Sequence, residues 1–80
     1  MVEVRVLIKL KEGVSDPEGA NTLKALHLLG FKNVRDVKTM KIFDLIIEDR
    51  NNVIDEVKEM CEKLLINPVI HTYEIEVVGE

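Results

Sequence analysis

Apolar and polar residues alternate strictly at the start of the chain. Val2, Val4, Val6 and Ile8 are separated by mostly polar residues over the first ten positions. Successive side chains of a strand point to opposite faces, so this period of two predicts a strand with one side in a core. Turn-forming residues at positions 12–17 predict the end of that strand and the entry into a helix.

A helix is predicted to begin at Asp16 and Pro17. The Asp16 carboxylate can accept hydrogen bonds from the free N–H groups of a first helical turn, and proline fits the first position, where no donor is needed. Ser15 with Glu18 offers an alternative start through a capping box. Gly30 is the type of residue at which helices end. The apolar side of this helix consists of Ala20, Leu23, Leu26 and Leu29.

Residues 34–47 predict two further strands that are joined near residues 39–41. Phe43, Leu45 and Ile47 form one face of the second strand, whereas Val34 and Val37 break the alternation of the first and indicate a bulge or a slipped boundary. The connection between them contains no Gly, Asn or Pro, the residues that tight hairpins favour. A polar connection at residues 49–52 follows.

The second predicted helix has the clearest periodicity in the chain. Charged residues cover one side of it, and Asn67-Pro68 ends it because the residue before a proline avoids the helical region. A last strand alternates from His71 onward. The apolar side of the helix consists of Val53, Val57, Met60 and Leu64.

The element order β-α-β-β-α-β predicts an α+β fold of the ferredoxin-like type. We expect a two-layer sandwich, in which a four-stranded, mainly antiparallel sheet carries both helices on one face. At 80 residues the chain is expected to be one domain, residues 1–80. The other face of the sheet carries apolar residues among its charges, and we predict that this face is a subunit interface. Those residues are Leu7, Ile42, Ile46 and Val78.

Charge and cysteine content narrow the choice of partners. The net charge is −4, and the eleven basic residues form no run, which argues against a nucleic-acid partner. A single cysteine excludes an internal disulfide, so oligomerisation is the expected support for so small a core. The sequence has neither a membrane-length apolar run nor a signal-peptide pattern at residues 1–5, and we therefore expect a cytoplasmic protein without a membrane partner.

The residues that could carry chemistry are isolated from one another. His27 and His71 have no second ligand at metal-binding spacing, and Cys61 falls on the apolar side of the second helix. Asp44 interrupts an apolar run and is expected to point outward from its strand. The four glycines form no phosphate-binding loop. We therefore predict no catalytic, cofactor-binding or metal-binding residue in this chain.

Two stretches of the chain resemble the signatures of the PurS family. Residues 10–19 read LKEGVSDPEG and are followed by Ala25-Leu26, and residues 60–70 read MCEKLLINPVI and are followed by Tyr73. Together with the length and the element order, they extend the resemblance over essentially the whole chain, although residues 33–40 carry no signature. The family-motif residues are Asp16, Pro17, Gly19, Cys61, Lys63, Leu64, Asn67, Pro68 and Tyr73.

PurS is the small subunit of phosphoribosylformylglycinamidine synthase, a ligase of purine biosynthesis. The resemblance implies a non-catalytic accessory subunit that bridges the glutaminase PurQ and the synthetase PurL and assists the transfer of ammonia. It implies that the complex uses ATP and glutamine to convert formylglycinamide ribonucleotide to formylglycinamidine ribonucleotide. ATP and Mg²⁺ would be used through the synthetase, and no cofactor would be bound by this chain. A homodimer or homotetramer is also implied.

A second function stays open at the level of the sequence. Domains of similar fold can act alone as regulatory modules that bind a small molecule. Fold by itself does not decide between these functions, because one architecture hosts many of them.

Overall fold

The computed structural model describes residues 1–48 and 51–79, which contain three strands and two helices. The strands are β1 (Val2–Leu10), β2 (Lys41–Ile47) and β3 (His71–Gly79). The helices are α1 (Pro17–Leu28) and α2 (Val53–Met60), and α2 continues as a π-helix, Cys61–Leu65. Strand β1 lies in the centre of the sheet and pairs antiparallel with β2 on one side and β3 on the other. The predicted α+β class and ferredoxin-like arrangement are confirmed.

The core lies between one face of the sheet and α2. The alternation of β1 is confirmed, since Val4 and Val6 are fully buried and Val2 and Ile8 nearly so. Val57 and Cys61 cover them from the helix, also without exposure. We call this side of the sheet the inner face. Its partly buried members on the flanking strands are Phe43, Leu45, Ile47, Tyr73 and Ile75.

The prediction of a fourth strand at residues 34–39 is wrong for this chain. Residues 34–40 contain neither turn nor bend and run directly into β2, but they belong to no sheet. Their polar groups bond to side chains instead. The Val37 N–H donates to the Asp36 carboxylate at 3.0 Å, and the Thr39 N–H donates to Asp16 at 2.8 Å. Short polar side chains thus compete with a sheet ladder for these backbone groups.

The prediction that both helices cover one face of the sheet is also wrong, because only α2 does so. No residue of α1 belongs to the core, and Gly19 is the only buried residue of α1. Leu23 and Leu26 are half-buried, whereas Leu29 is 73% exposed. The radius of gyration is 16.2 Å, compared with roughly 12 Å for a compact domain of 80 residues. The molecule extends 50 Å along its longest axis, and α1 is not folded onto the core side of its own sheet.

The boundaries of the helices follow local chemistry. Asp16 caps α1 as predicted, and Gly30, at φ +103°, supplies the left-handed residue after its last turn. Residues 49 and 50 of the predicted polar connection lie outside the described residues. Asn52, at φ +57°, precedes α2 without a capping hydrogen bond from its side chain. The π-helix closes with a hydrogen bond from the Ile66 N–H to the Cys61 carbonyl, 2.9 Å.

Candidate subunit interface

The predicted interface lies on the side of the sheet opposite the core, which we call the outer face. The strand register brings Leu7 of β1 directly opposite Ile42 of β2, and it brings Ile46 opposite Glu3. Ile42 and Ile46 are 56% and 63% exposed. Val78 is 38% exposed, and Leu7, on the central strand, is half-buried. Leu7, Ile42 and Ile46 are therefore on one face, whereas Val78 lies at the register shift between β1 and β3 and has no partner residue on β1. Three of the four residues are open to solvent.

An ion pair divides this apolar surface. Arg5 Nε donates to Asp44 Oδ1 at 2.8 Å, and the register sets the two residues opposite each other at the centre of β1 and β2. The hydrogen bond raises the pKa of Arg5 and lowers that of Asp44. Asp44 points outward as predicted. A second ion pair joins Lys9 and Glu74 at 2.7 Å. Exposed pairs of this kind contribute little to stability on their own.

The first family-motif stretch holds α1 against residues 31–40. The Asp16 carboxylate accepts hydrogen bonds from the Gly19 N–H at 2.9 Å, and from the Thr39 N–H and hydroxyl at 2.8–3.0 Å. These bonds hold the pKa of Asp16 below its usual range, the Thr39 N–H having the largest effect. A Cβ atom on Gly19 would overlap the Val37 carbonyl oxygen, so only glycine permits this approach. Pro17 occupies the first turn as predicted.

The second motif stretch forms the turn between the π-helix and β3. The Asn67 carbonyl accepts from the Ile70 and His71 N–H groups at 3.0 and 2.8 Å, and its side chain accepts from the Val69 N–H at 3.0 Å. The Pro68 carbonyl accepts from Lys11 Nζ at 2.8 Å, which ties this turn to the end of β1. Asn67 and Pro68 therefore have structural roles within the chain.

The remaining motif residues separate into buried and exposed ones. Cys61 is fully buried, and burial raises the pKa of its thiol. The Tyr73 hydroxyl donates to Glu62 at 3.3 Å. Partial burial, together with that carboxylate, raises the pKa of Tyr73. Lys63 and Leu64 project from the π-helix, and Leu64 is 82% exposed. Lys63 forms an ion pair with Glu59 at 3.5 Å, whereas packing within the described residues does not explain Leu64.

Sequence reasoning left the two histidines without a role and missed Thr39 altogether. His27 Nε2 lies 2.7 Å from the Val34 carbonyl, to which it donates, and His71 Nδ1 accepts from the Asn67 N–H at 2.9 Å. Each histidine thus stabilises a turn or segment within the chain. Thr39 bonds to Asp16, 23 positions away, and no local pattern signals such a contact.

The described residues border open grooves near the start of β3. A shallow groove of about 480 Å³ at the start of β3 is lined by Ile66, Pro68 and Tyr73, with Glu62 at its edge. Among residues 1–48 and 51–79, no three His, Cys, Asp or Glu side chains form a group that could hold a metal ion. Neither described helix is long and apolar enough to cross a bilayer. An exposed apolar face on an incompletely packed fold is typical of a small subunit of a larger assembly.

The comparisons with known proteins identify that assembly. The family model for PurS, described as phosphoribosylformylglycinamidine (FGAM) synthase, matches residues 3–79. PurS of Methanocaldococcus jannaschii is 54% identical over 79 residues, which are 96% of this chain and 95% of the relative. The chain belongs to the PurS family. It is an accessory subunit of phosphoribosylformylglycinamidine synthase, an ATP-dependent ligase of purine biosynthesis, which decides between the two functions that the sequence left open.

Solved structures of PurS proteins agree with this fold. The crystal structure of M. jannaschii PurS, one of the subunits of formylglycinamide ribonucleotide amidotransferase in the purine biosynthetic pathway, superposes with a TM-score of 0.89 at 51% identity. It covers 100% of this chain and 99% of the relative. Bacillus subtilis PurS gives 0.90 at 44% identity, covering 99% and 100%. The PurLQS structure from Thermotoga maritima gives 0.74 at 23% identity, covering 96% of both chains, and is similar in fold.

Proposed function

We propose that this chain joins the glutaminase subunit PurQ to the synthetase subunit PurL and assists the passage of ammonia between them. The PurLQS assembly of T. maritima, which contains a chain of this fold, supports the proposal. Ammonia that escaped into bulk water would be protonated and lost, so an interface that excludes water is what the transfer requires. On this proposal ATP and Mg²⁺ act through PurL, and the complex is cytoplasmic.

We further propose that the chain is homo-oligomeric and that residues 1–80 act as one domain within the oligomer. The observation that carries this is the large exposed surface. The chain exposes 6126 Å², whereas a compact monomer of 9.1 kDa exposes about 4,900 Å². The excess of about 1,200 Å² per chain is more than one partner contributes to a standard interface, about 800 Å². We propose a second copy of the chain as the partner that covers this surface, because it is always present at the same concentration as the first.

We propose that the outer face is one of the subunit interfaces. Its apolar residues flank the Arg5–Asp44 pair, and a face with a charged centre and an apolar surround suits a specific contact. Ile46→Asp places a charge in that surround and should lower the oligomer mass measured by sedimentation, or prevent assembly with the other subunits. Ile54→Asp, a matched change on α2 at a residue that is 39% exposed, should leave both unchanged. Identical behaviour of the two variants would contradict the assignment of this face.

Reconstitution tests the proposed function. The chain is mixed with PurL and PurQ from the same organism, and the formation of formylglycinamidine ribonucleotide is followed with glutamine or with ammonium chloride as the nitrogen source. We expect glutamine-dependent activity to require the chain, and ammonia-dependent activity not to require it. If the chain neither joins the other two subunits nor changes the glutamine-dependent rate, the bridging function is wrong.

A further inference from the structure

The turn between the π-helix and β3 is closed by a hydrogen bond whose acceptor can take up a proton. The Asn67 N–H donates to His71 Nδ1 at 2.9 Å. A neutral imidazole has one N–H group and one unprotonated nitrogen, whereas both nitrogens of an imidazolium carry a proton. Because Nδ1 accepts here, the ring is neutral and its proton lies on Nε2. The closed turn therefore determines both the charge and the tautomer of His71.

The other histidine of the sequence makes the opposite kind of hydrogen bond. His27 Nε2 donates to the Val34 carbonyl at 2.7 Å. That bond forms with a neutral or a charged ring, because Nε2 can carry its proton in both. Histidine is the side chain whose charge ordinarily changes between pH 5 and 8. Acid in this range therefore preserves the bond made by His27 and removes the bond made by His71, so the chain contains its own control.

Protonation of His71 leaves a backbone donor of the turn without an acceptor. Among residues 1–48 and 51–79, His71 Nδ1 is the acceptor that the Asn67 N–H has. When Nδ1 is also protonated, two donors face each other at a separation that suits a donor and an acceptor, and the ring has to turn away. Pro68, in contrast, stays tied to the end of β1, because Lys11 Nζ donates to its carbonyl. The change is therefore confined to the side of the turn that faces the π-helix.

The charged side chains around His71 balance one another. His71 pairs with Leu10 of β1, and its side chain borders two grooves. The charged groups that face it are Glu18 of α1, Lys41 of β2, Glu62 of the π-helix and Lys11 after β1, and the neutral Tyr73 hydroxyl of β3 lies beside Glu62. Two carboxylates and two ammonium groups leave no net charge that favours one form of the ring. The hydrogen bond from Asn67 thus decides which form the closed turn accepts.

We infer that the turn at residues 67–71 is a pH-sensitive switch, closed while His71 is neutral and opened when its ring gains a proton. The ring lines both the groove of about 480 Å³ beside Ile66 and the groove of about 410 Å³ beside Lys41. Opening therefore changes the shape of both grooves and the position of Val69, which lies in the turn and is 77% exposed. The inference concerns the chain itself and does not depend on the bridging of PurQ and PurL.

Nitrogen NMR of the ¹⁵N-labelled chain tests the switch directly. Scalar coupling passes through a hydrogen bond between two nitrogens, so at pH 8 we expect a coupling between the Asn67 amide nitrogen and His71 Nδ1. The imidazole shifts should then show the proton on Nε2. Lowering the pH to 5 should remove the coupling, while Nε2 of His27 stays protonated throughout. Absence of the coupling at pH 8, or its persistence at pH 5, would overturn the inference.

His71→Asn gives a matched variant whose acceptor does not titrate. The Asn side-chain oxygen is attached to Cγ, as Nδ1 is in histidine, so it can accept from the Asn67 N–H at any pH. The unfolded chain binds the proton freely and the closed turn does not, so acid favours unfolding. Relative to His71→Asn, the folding equilibrium constant of the unaltered chain should fall about fivefold per chain from pH 8 to 5, the effect of one hydrogen bond of ordinary net strength. Chemical denaturation measures this difference.

His27→Gln is the control for the second histidine. It removes the other titrating ring and keeps a donor at the ε position, so its acid response should equal that of the unaltered chain. Equal acid responses of the unaltered chain and His71→Asn would count against the switch, and so would an acid response that His27→Gln abolishes. If His71→Asn does not fold, the coupling measured on the unaltered chain decides alone.

Discussion

Dilution should lower the melting temperature of this protein, by an amount that follows from its length. Unfolding absorbs about 0.7 kcal/mol per residue near 60 °C, which is about 56 kcal/mol for 80 residues and about 112 kcal/mol for a dimer. If a dimer unfolds to two separate chains, mass action links the transition to concentration. The melting temperature then falls by about 4–5 °C for each tenfold dilution, and by about 7 °C if a tetramer unfolds to four chains.

Circular dichroism from 1 to 100 μM measures this slope over two decades of concentration. The slope depends on the number of chains released and not on the strength of their association, so a very tight dimer still shows it. The measurement therefore also distinguishes dimer from tetramer. A reversible transition whose midpoint stays constant over the whole range would refute the reasoning, because it would mean that the excess surface of the chain is not buried by another copy.

The remaining predictions concern single residues. Gly19→Ala forces the new methyl group against the Val37 carbonyl, and chemical denaturation should detect a loss of about 1–3 kcal/mol in the free energy of unfolding. Because the folded-state pKa of Asp44 is lowered, its stabilising effect is present above about pH 4 and lost as the pH falls through the folded-state value, so Asp44→Asn should lose less stability on acidification than the unaltered chain. Equal acid dependence would contradict this. Leu64→Asp should reduce glutamine-dependent synthesis in the reconstituted complex without unfolding the chain, whereas Ile54→Asp should not.

Patterns within the sequence predicted β1, α2 and the start of α1, because local residues determine each of them. The alternation of Val2 to Ile8 places β1 in the core, the spacing of Val53 and Val57 gives α2, and the chemistry of Asp16 gives the start of α1. The apolar residues of the outer face were also found, because strict alternation assigns both faces of a strand at once. These signals lie within single elements, so they can be read without knowing which other element packs against them.

The position of α1 and the state of residues 34–40 could not be obtained in that way. The periodic leucines of α1 indicate that one side of the helix is to be buried, but not which chain provides the covering surface. The contact of Asp16 with Thr39 joins positions 23 apart and leaves no periodic trace. Periodicity within one chain therefore identifies the elements, but it does not place α1 relative to the sheet or pair residues 34–40 with a strand.

Tyr73 gives the protein an intrinsic spectroscopic probe. The chain has no tryptophan and a single tyrosine, so its near-ultraviolet absorption and emission arise almost entirely from one ring on β3. That ring lies on the inner face, and burial together with the Glu62 carboxylate raises the pKa of its hydroxyl. Changes in its emission on mixing, dilution or refolding therefore report on the surroundings of this one ring on the inner face, in real time and without a label.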